Sequence, residues 1–322
     1  MLGVNSFVIG GALGLLLALA VFLMARRSQR ERILRGLLCS FAVLVLVVGV
    51  ASISFGIWIA SGDRSAIAAA EITDGVTYER FILDDAVAHL MSFDLSDPCL
   101  SLTTTAVRPD GTVDAQRTTS WASDVGAVAA INSNYFFPYS ANLPWEDPTP
   151  IEGEEVNILG TVKREDGQAI SSVTEFGKIR NRVWVDQDGA TGIDLVLPAD
   201  AEVAVTGREL ILDAGQVVGH ESENYPRTVV GIAEGTTQMW WLVVDGKRPG
   251  YSVGVTFDEA AEYLASRGAT DAVALDGGGS STMVVDDGSG VRMLNATRNQ
   301  AIPDRERPIA NHLGLIRPDS CQ

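Results

Sequence analysis

Two long apolar runs without a charged residue lie near the N-terminus, and they constrain the chain more than any other feature. They span residues 1–25 and 36–62. Each exceeds the roughly 20 apolar residues that a helix needs to cross a bilayer core of about 30 Å. A signal peptide carries its basic residues ahead of the apolar stretch, whereas here they follow the first run. The sequence therefore predicts two transmembrane helices within residues 1–62.

The short linker between the two runs predicts the orientation of this helical hairpin. It carries five Arg and one Glu between Arg26 and Arg35. Short Arg-rich loops stay on the cytoplasmic side of a membrane, so the chain after the hairpin faces outward. We therefore expect a multi-pass cell-membrane protein with an extracytoplasmic domain. The small, polar and Ala-rich residues 63–77 predict a stalk, and residues 78–322 predict one domain.

The outer part of the chain is acidic, which argues against nucleic acid as a partner. The whole sequence has 24 Lys and Arg and 41 Asp and Glu; without the five Arg and one Glu of the linker, 19 and 40 remain, a net charge of −21. Such a field repels phosphate backbones. A small phosphate-bearing substrate remains compatible with it if a few Arg side chains converge locally.

The few Cys and His residues give no sign of a metal or cofactor site. The chain has three of each, and no Cys-x-x-Cys motif or Cys/His cluster occurs. A structural zinc site is therefore not expected, no cofactor is predicted, and no metal ligands are assigned. Cys99 and Cys321 are the two Cys residues of the outer part. A disulfide between them and two buried free thiols fit the sequence equally well.

Short apolar runs bounded by Gly, Pro and Asp predict most of the outer domain to be β-strand. The runs are residues 126–131, 201–205, 227–232, 239–244, 271–275, 283–285 and 312–316. One helix is well signalled, because Thr256 and Glu259 form a capping-box pair and Gly268 can end the helix. Many strands with few helices predict a single mixed α+β domain after the two-helix hairpin.

A carboxylate followed by three glycines is the sharpest local feature. Asp276 ends the predicted strand 271–275, and glycines 277–279 and hydroxyl residues 280–282 follow. Glycines let a ligand approach the backbone closely, and successive N–H groups of such a turn can bind an anion. The segment is not a Walker loop, because no Lys follows the glycines. It is not a nucleophile elbow either, because Ser280 does not lie in a G-x-S-x-G sequence. A plain tight turn is the alternative.

One segment resembles the hallmark of the phosphodiester glycosidase family: Leu275-Asp276-Gly277-Gly278-Gly279-Ser280-Ser281-Thr282. The family includes proteins that resemble N-acetylglucosamine-1-phosphodiester alpha-N-acetylglucosaminidase, the uncovering enzyme. It also includes bacterial proteins related to exopolysaccharides. Four further segments resemble the family's other motifs in the same order: residues 130–136, 227–232, 244–252 and 305–311. Together they span residues 126–315. Two positions depart from the family pattern: Asn134 stands where many members have Gly, and Lys247 before Arg248 leaves the position of the family's Arg uncertain by one residue.

The resemblance implies a hydrolase that breaks the bond between a sugar and a phosphate. Its oxocarbenium-like transition state requires carboxylates, and the matched segments supply three candidates: Asp276, Asp245 and Glu306. Arg binds phosphate oxygens bidentately, which makes Arg227, Arg248 and Arg307 the candidate clamps. Further candidate substrate-binding residues are Gly278, Gly279, Ser280, Ser281, Asn132 and Asn311. Asp245 as a turn cap and residues 305–307 as a solvated charge run are the alternatives, and Tyr135 and Phe136 are interpreted as core.

Three functions are compatible with these motifs. The first is a membrane-anchored hydrolase of sugar-1-phosphodiesters, such as N-acetylglucosamine-1-phosphodiester, in an envelope polymer, a glycolipid or an exopolysaccharide. The second is a non-catalytic module that binds a sugar phosphate during polymer assembly. The third is a phosphodiesterase that cleaves the P–O bond with a metal held by Asp245 and Asp276. The Gly turn combined with Asp276 and the motif Arg residues favours the hydrolase, because a binding module needs only the clamp.

Overall fold

The chain folds into two units. The computed structural model describes residues 4–27, 32–137, 149–165, 167–171, 180–220, 222–299, 302–318 and 321. By internal contacts, one unit consists of Met1–Asp63 with Arg248–Tyr251, and the other of Arg64–Lys247 with Ser252–Gln322. Part of the linker predicted to be cytoplasmic, residues 28–31, lies outside the described residues.

Two long apolar helices form most of the first unit: α1 (Val4–Arg27) and α2 (Arg32–Ala60). Their backbones approach closely, since a Cβ on Gly11 would lie 2.7 Å from the carbonyl oxygen of Gly49. Within α2, Gly36–Trp58 is 23 residues long with a mean hydropathy of 2.6, whereas the apolar part of α1, Val8–Met24, is shorter. Among the described helices, α2 is therefore the one membrane-span candidate by length and composition, where the sequence predicts two.

The described residues of the second unit form two α-helices and 23 strands, numbered in chain order. The helices are α3 (Thr118–Val125) and α4 (Phe257–Ser266). The strands are β1 (Ile67–Thr73), β2 (Val76–Leu83), β3 (Ala86–Asp94), β4 (Ser101–Thr104), β5 (Thr112–Asp114), β6 (Ala127–Asn132), β7 (Phe136–Phe137), β8 (Glu155–Ile158), β9 (Thr161–Val162), β10 (Ile170–Ser171), β11 (Asn181–Asp186), β12 (Thr191–Asp194), β13 (Ala201–Gly207), β14 (Glu209–Asp213), β15 (Gln216–Val217), β16 (Arg227–Ile232), β17 (Gln238–Val244), β18 (Asp271–Ala274), β19 (Met283–Asp286), β20 (Val291–Met293), β21 (Arg298–Asn299), β22 (Ile302–Pro303) and β23 (His312–Ile316).

Two large antiparallel sheets organise this unit. The first has eight strands in the order β1-β2-β3-β17-β16-β18-β14-β15, and the second has five in the order β20-β19-β6-β23-β4. Smaller sheets of two or three strands complete it: β12-β11-β13, β5-β8-β7, β9 with β10 and β21 with β22. Because β16, β17 and β18 are neighbours in the first sheet, the N-terminus of β16 lies beside the C-termini of the other two.

The main hydrophobic core lies between the two large sheets. Trp241 and Val230 of the first sheet share this cluster with Ile131 and Leu313 of the second. A second cluster covers the other face of the first sheet, where Phe257 and Leu264 of α4 pack against β16 and β17. On the outer face of the second sheet, Trp121 of α3 packs against β6 and β19. The layers are thus helix, sheet, sheet and helix, which confirms the predicted α+β class.

Each of the seven strands predicted from the sequence is present, and so is the predicted helix. In α4, Thr256 accepts a hydrogen bond from the Glu259 N–H and the Glu259 side chain accepts one from the Thr256 N–H, which completes the capping box. The first sheet starts earlier than expected, because β1 lies inside the segment predicted to be a stalk. This segment is an edge strand: its Ala side chains are exposed, and it pairs with β2.

A disulfide joins Cys99 to Cys321, with an S–S distance of 2.09 Å. It connects the segment after β3 to the end of the chain across a sequence separation of 222 residues. Of the two alternatives that the sequence leaves open, the structure has the disulfide. The remaining cysteine, Cys39, lies in α2 and is free.

Candidate active site

Asp276 lies where the ends of the two large sheets meet. It follows β18 of the first sheet, and its backbone is held by the end of β6 in the second. The Asp276 N–H donates to the carbonyl oxygen of Ser133 at 3.0 Å, and the Asn132 amide donates to the carbonyl oxygen of Asp276 at 2.6 Å. Two crossing hydrogen bonds therefore fix the backbone from which this carboxyl group projects.

The Asp276 carboxyl group is buried and half satisfied. Oδ1 accepts from the Gly277 N–H at 2.9 Å, whereas Oδ2 is buried and has no hydrogen-bond partner among the described residues. Burial raises the pKa of Asp276 to about 6, while hydrogen bonding by the Ser280 hydroxyl, the charge of Arg307 and the hydrogen bond from the Gly277 N–H oppose this rise. A carboxyl group with this pKa exchanges protons near neutral pH, as acid–base and nucleophilic catalysis require.

The glycines after Asp276 are needed for steric reasons. A Cβ on Gly277 would lie 2.9 Å from the carbonyl oxygen of Pro226, and Gly278 has a φ of +66° with Tyr225 Cε1 2.9 Å from its Cβ position. Residues Gly278–Ser280 form a single 3₁₀ turn. The Gly278 N–H donates to Pro226 and the Ser280 N–H to Gly277. Two of the three backbone N–H groups from Gly278 to Ser280, which could bind an anion, are thus already hydrogen-bonded to carbonyl groups of the protein.

Arg307 is the predicted clamp that lies nearest to this turn. Its Nη1 donates to the Ser280 hydroxyl at 3.3 Å and its Nε to the Asn299 side-chain oxygen at 3.2 Å. It is half-buried, and its positive charge lowers the pKa of Asp276. The structure therefore brings Asp276, Ser280 and Arg307 together, three of the residues predicted from the sequence.

Arg227 is buried at the start of β16, and its guanidinium group donates hydrogen bonds to backbone carbonyl oxygens. Its Nε donates to the Val255 carbonyl oxygen at 3.1 Å and its Nη2 to the Glu223 carbonyl oxygen at 2.8 Å. Its guanidinium carbon lies 3.9 Å from the centroid of the Phe257 ring. Arg227 thus fixes the loop before β16, and it acts electrostatically on Tyr135, whose pKa it lowers.

Tyr135 and Arg208 belong to the site although the sequence did not assign them to it. Burial, followed by the negative charge of Asp276, raises the pKa of Tyr135, while Arg208 opposes the rise through a hydrogen bond and its charge. Of the pair interpreted as core, Phe136 is fully buried and Tyr135 is partly buried. Arg208 follows β13, and its N–H donates to the Ala274 carbonyl oxygen at 2.8 Å. Neither a motif nor a pattern marks Arg208 in the sequence.

Lys247 and Tyr225 lie on the other side of the glycine turn. The Lys247 Nζ is 3.4 Å from the centroid of the Tyr225 ring, and the edge of that ring faces Gly278. Lys247 has a φ of +56°, which is rare for a residue with a side chain. Tyr225 stands two residues before the predicted strand 227–232, and this position is the sequence signal that could have marked it as a site residue.

Arg248, the alternative to Lys247 in the motif, is grouped with the first unit. Within that unit its Nη2 donates to the Ser61 carbonyl oxygen at 2.5 Å and its guanidinium carbon lies 4.5 Å from the Tyr251 ring centroid. Its predicted role in substrate binding stays a prediction.

Asp245 is surrounded by donors. Its Oδ1 accepts from the Ala296 N–H at 3.0 Å and the Asn295 amide at 3.2 Å. Its Oδ2 lies 3.3 Å from His89 Nε2, and the Tyr78 hydroxyl lies 2.9 Å from the other nitrogen of that ring. This buried network ties the end of β17 to β3 and to the segment after β20. The predicted catalytic role of Asp245 stays a prediction.

Glu306 lies at the N-terminus of α3. Its two carboxylate oxygens accept from the Thr119 N–H at 2.9 Å and the Thr119 hydroxyl at 2.6 Å. A carboxylate at this position satisfies N–H groups that the first helical turn leaves unbonded and interacts favourably with the helix dipole. Burial raises the pKa of Glu306. These contacts hold the Glu306 side chain at α3, and its predicted catalytic role stays a prediction.

The predicted polar residues on the second sheet hold the site in place. The Asn132 side-chain oxygen accepts from the Thr228 hydroxyl at 2.7 Å and from the Thr282 N–H at 3.0 Å. The Asn311 amide donates to the Asn134 side-chain oxygen at 2.9 Å. Gly279 is half-exposed in the turn, while Ser281 is buried with an unpartnered hydroxyl. Both asparagines thus act through the backbone and neighbouring side chains.

Asn134, at the position where many family members have Gly, has no left-handed backbone. Instead its amide is a buried hub: the oxygen accepts from the Thr206 N–H at 2.9 Å and from Asn311, and the nitrogen donates to the Leu159 carbonyl oxygen at 2.9 Å. The side chain therefore connects β13, β23 and the segment before β9.

Comparison with known proteins identifies the family. The model of the phosphodiester glycosidase family matches residues 125–316. No curated protein sequence matches the chain. The fold is similar to that of the zebrafish N-acetylglucosamine-1-phosphodiester alpha-N-acetylglucosaminidase catalytic domain auto-inhibited by its pro-peptide, with 17% identity, a TM-score of 0.56 and coverage of 79% of this chain and 87% of that one.

It is also similar to a hypothetical protein from Synechocystis, with 14% identity, a TM-score of 0.53 and coverage of 80% of this chain and 64% of that one. At these identities the two solved structures support the fold alone. The family model covers more than half of the chain, and the matched range contains Asp276, Arg307 and the glycine turn. The chain belongs to the phosphodiester glycosidase family.

Proposed function

We propose that this protein hydrolyses the glycosidic bond of a sugar-1-phosphodiester, with Asp276 as its catalytic carboxyl group. The observation that carries the proposal is the state of Asp276. Its Oδ2 is buried and has no hydrogen-bond partner in the part of the chain that the structure describes, and its pKa is raised to about 6 beside the Arg307 cation. An unsatisfied buried carboxylate oxygen costs free energy in a folded protein, so its presence in a family of glycosidases points to a catalytic use.

The proposed reaction needs little help from an acid. The anomeric C–O bond breaks, its electron pair leaves with the phosphate, and water supplies the hydroxyl group that completes the free sugar. A phosphate leaving group is already stable as an anion, so charge stabilisation matters more than protonation. Ionised Asp276 suits the positive charge that develops at the anomeric carbon, either directly or through an activated water.

The positive side chains near Asp276 fit the phosphate part of such a substrate. Arg307 donates to Ser280 beside the carboxyl group, and Arg208 approaches from the Tyr135 side. Lys247 lies against Tyr225 at the glycine turn. Guanidinium groups bind phosphate oxygens through paired N–H groups. We therefore assign Arg307 and Arg208 to the phosphate, with Tyr135 between Arg208 and Asp276.

The helices of the first unit support a membrane anchor. Large apolar side chains are exposed along both, among them Leu13 and Leu16 of α1 and Leu37 and Leu44 of α2. Exposed apolar surface of this extent is unfavourable in water and suits a lipid environment. We propose that both helices lie in the membrane and that the second unit is extracytoplasmic. Its substrate is then a glycosyl phosphodiester of an envelope polymer, a glycolipid or an exopolysaccharide.

Product analysis tests the proposed reaction. The detergent-solubilised full-length protein is incubated with methyl phosphodiesters of several sugar 1-phosphates, and Asp276→Asn is compared with Asp271→Asn. Asp271 is buried at the opposite end of the same strand, where it accepts from the Ala214 N–H. We expect the wild type and Asp271→Asn to release free sugar together with methyl phosphate, and Asp276→Asn to lose at least about 100-fold in rate.

Two other outcomes contradict the proposal. Release of sugar 1-phosphate and methanol means that the P–O bond is cleaved and that the protein is a phosphodiesterase. Binding of a phosphodiester without any product, measured by calorimetry, means that the protein is a binding module.

A further inference from the structure

A small polar cavity lies beside the glycine turn and is not explained by the contacts of Asp276. Its volume is about 10 Å³, and Pro226, Asp245, Gly278, Ser281, Asn295 and Thr297 are among the residues that line it. This volume is enough for one group of the size of a water molecule.

Two hydroxyl groups in this cavity lack partners. Ser281 Oγ and Thr297 Oγ1 are both buried, and neither has a hydrogen-bond partner among the described residues. Their residues are only 3% and 2% exposed. Buried hydroxyl groups are usually hydrogen-bonded, because a lost bond to water is otherwise not replaced. One small polar group in this cavity could be the partner of both hydroxyls.

The other polar groups of the wall are already satisfied. The Asn295 side-chain oxygen accepts from the Met283 N–H at 2.8 Å, and its amide nitrogen donates to the Ser281 carbonyl oxygen at 3.0 Å. The Asp245 carboxylate accepts from Asn295 and twice from the Ala296 N–H. Ser281 and Thr297 are therefore the side chains that remain available to a ligand.

The chemistry of the wall selects a neutral ligand. Its lining contains the Asp245 carboxylate and no Lys or Arg among the described residues, so it disfavours a phosphate. A hydroxyl group both donates and accepts, and each of the two unpartnered hydroxyls can do the same. One hydroxyl group of a sugar thus matches the cavity in size, charge and hydrogen bonding.

The cavity and Asp276 share one structural element. Gly278 lines the cavity, and its N–H donates to Pro226, which also lines it, at 3.0 Å. Asp276 stands two residues earlier in the same turn. A sugar held in this cavity by one hydroxyl group is thereby placed next to the turn that carries the catalytic carboxyl group.

We infer that this cavity binds one hydroxyl group of the sugar released by the enzyme, and that Ser281 and Thr297 determine which sugar is accepted. The inference rests on the proposed glycosidase function, which it extends to the recognition of the sugar. Phosphate is bound elsewhere, by Arg307 and Arg208.

Thr297→Val tests this inference, because Val has nearly the shape of Thr without the hydroxyl. Thr118→Val is the matched control, since Thr118 Oγ1 is another buried hydroxyl without a partner but belongs to α3. The substrates are the methyl phosphodiester of N-acetylglucosamine 1-phosphate and its 3-, 4- and 6-deoxy analogues. The measured quantity is kcat/KM of the full-length protein in detergent, with the melting temperature of each variant.

We expect Thr297→Val to lower kcat/KM on the parent compound roughly tenfold, the effect of one lost hydrogen bond. On one deoxy analogue, wild type and Thr297→Val should agree within about twofold, because that analogue lacks the group that Thr297 recognises. Thr118→Val should leave kcat/KM unchanged on every substrate. Equal losses by Thr297→Val on all four compounds would overturn the inference, since they would indicate a bound water or a purely structural role.

The failure of the proposed function can be told apart from the failure of this inference. If the wild type releases no product, the dissociation constants of the same four compounds are compared by calorimetry. Selective weakening of the parent compound in Thr297→Val then supports the cavity as a sugar site without hydrolysis. Equal dissociation constants across the four compounds, or no binding by the wild type, would overturn it.

Discussion

The carboxyl group of Asp276 is the residue on which the proposed chemistry depends, and its pKa determines how activity responds to pH. Burial raises this pKa to about 6. If the ionised form acts, kcat/KM rises as the pH increases through about 6 and is constant above it. Measurement of kcat/KM for the wild-type protein on a sugar-1-phosphodiester across this pH range tests the expected rise. A kcat/KM that falls through pH 6 would instead assign the activity to the protonated form.

The same pKa shift has a consequence for stability. The folded-state pKa lies above the ordinary value of 3.8, so folded protein binds this proton more tightly than unfolded protein does. The stabilising effect is complete below about pH 4 and is lost as the pH rises through about 6. At pH 7.5 the ionised group costs roughly 3 kcal/mol.

We therefore expect Asp276→Asn to increase the free energy of unfolding at pH 7.5 and to change it little at pH 4. Urea denaturation at the two pH values measures the difference, with Asp271→Asn as the control. Equal effects of Asp276→Asn at both pH values would contradict this account of the carboxyl group.

Single residues also show how far the sequence could lead. Asp276, Ser280 and Arg307 were predictable, since each stands in a motif with its own chemical signature. Arg208 was not, because it reaches the site through the pairing of β14 with β18, and long-range pairing leaves no mark around an isolated Arg. The contact of Glu306 could not be predicted for a related reason, since its partner Thr119 is 187 residues away in the sequence.

Among the secondary-structure elements, α4 shows what local sequence can specify. Its capping box is formed by Thr256 and Glu259 as predicted. Replacement of Thr256 by Ala removes the side-chain acceptor of the Glu259 N–H and should lower the free energy of unfolding by about 1 kcal/mol.

Chemical denaturation monitored by tryptophan fluorescence measures this change. Thr256→Ser, which keeps the hydroxyl group, is the control and should stay within about 0.5 kcal/mol of the wild type. An equal loss in both variants would mean that the methyl group of Thr256, and not its hydroxyl, stabilises the helix.

Several of the elements that the sequence did not reveal are short or lie at an edge, but the interior strands β2 and β3, of eight and nine residues, were not predicted either. β9, β10, β21 and β22 have two residues each, which is too short for an alternating apolar pattern. β1 is mostly exposed and carries three successive Ala residues, so its composition resembles a linker. β16 and β17 could be predicted because their burial requires continuous apolar side chains, whereas β3 carries His89 and Ser92 among its apolar residues.

At the scale of the whole molecule, the Cys99–Cys321 disulfide is a covalent restraint between two distant parts of the chain. It closes a segment with a sequence separation of 222 residues. Closing a long loop removes conformational entropy from the unfolded chain, for which about 3 kcal/mol is a moderate expectation.

Cys99→Ser should accordingly lower the melting temperature of the second unit, and reduction with dithiothreitol should have the same effect on the wild type. Cys39→Ser in α2 is the control and should melt as the wild type does. A melting temperature unchanged by Cys99→Ser would show that the disulfide does not stabilise the fold.

Asn295 has a consequence for how the protein can be produced. Asn295-Ala296-Thr297 is an acceptor sequence for N-linked glycans, yet Asn295 is 5% exposed and its amide nitrogen is held by Asp245 and by the Ser281 carbonyl oxygen. A glycan attached to this nitrogen before folding is complete would displace both partners and fill the cavity beside the glycine turn. Expression through a eukaryotic secretory pathway would thus compete with folding, whereas a host without N-glycosylation leaves Asn295 free to take its place in the structure.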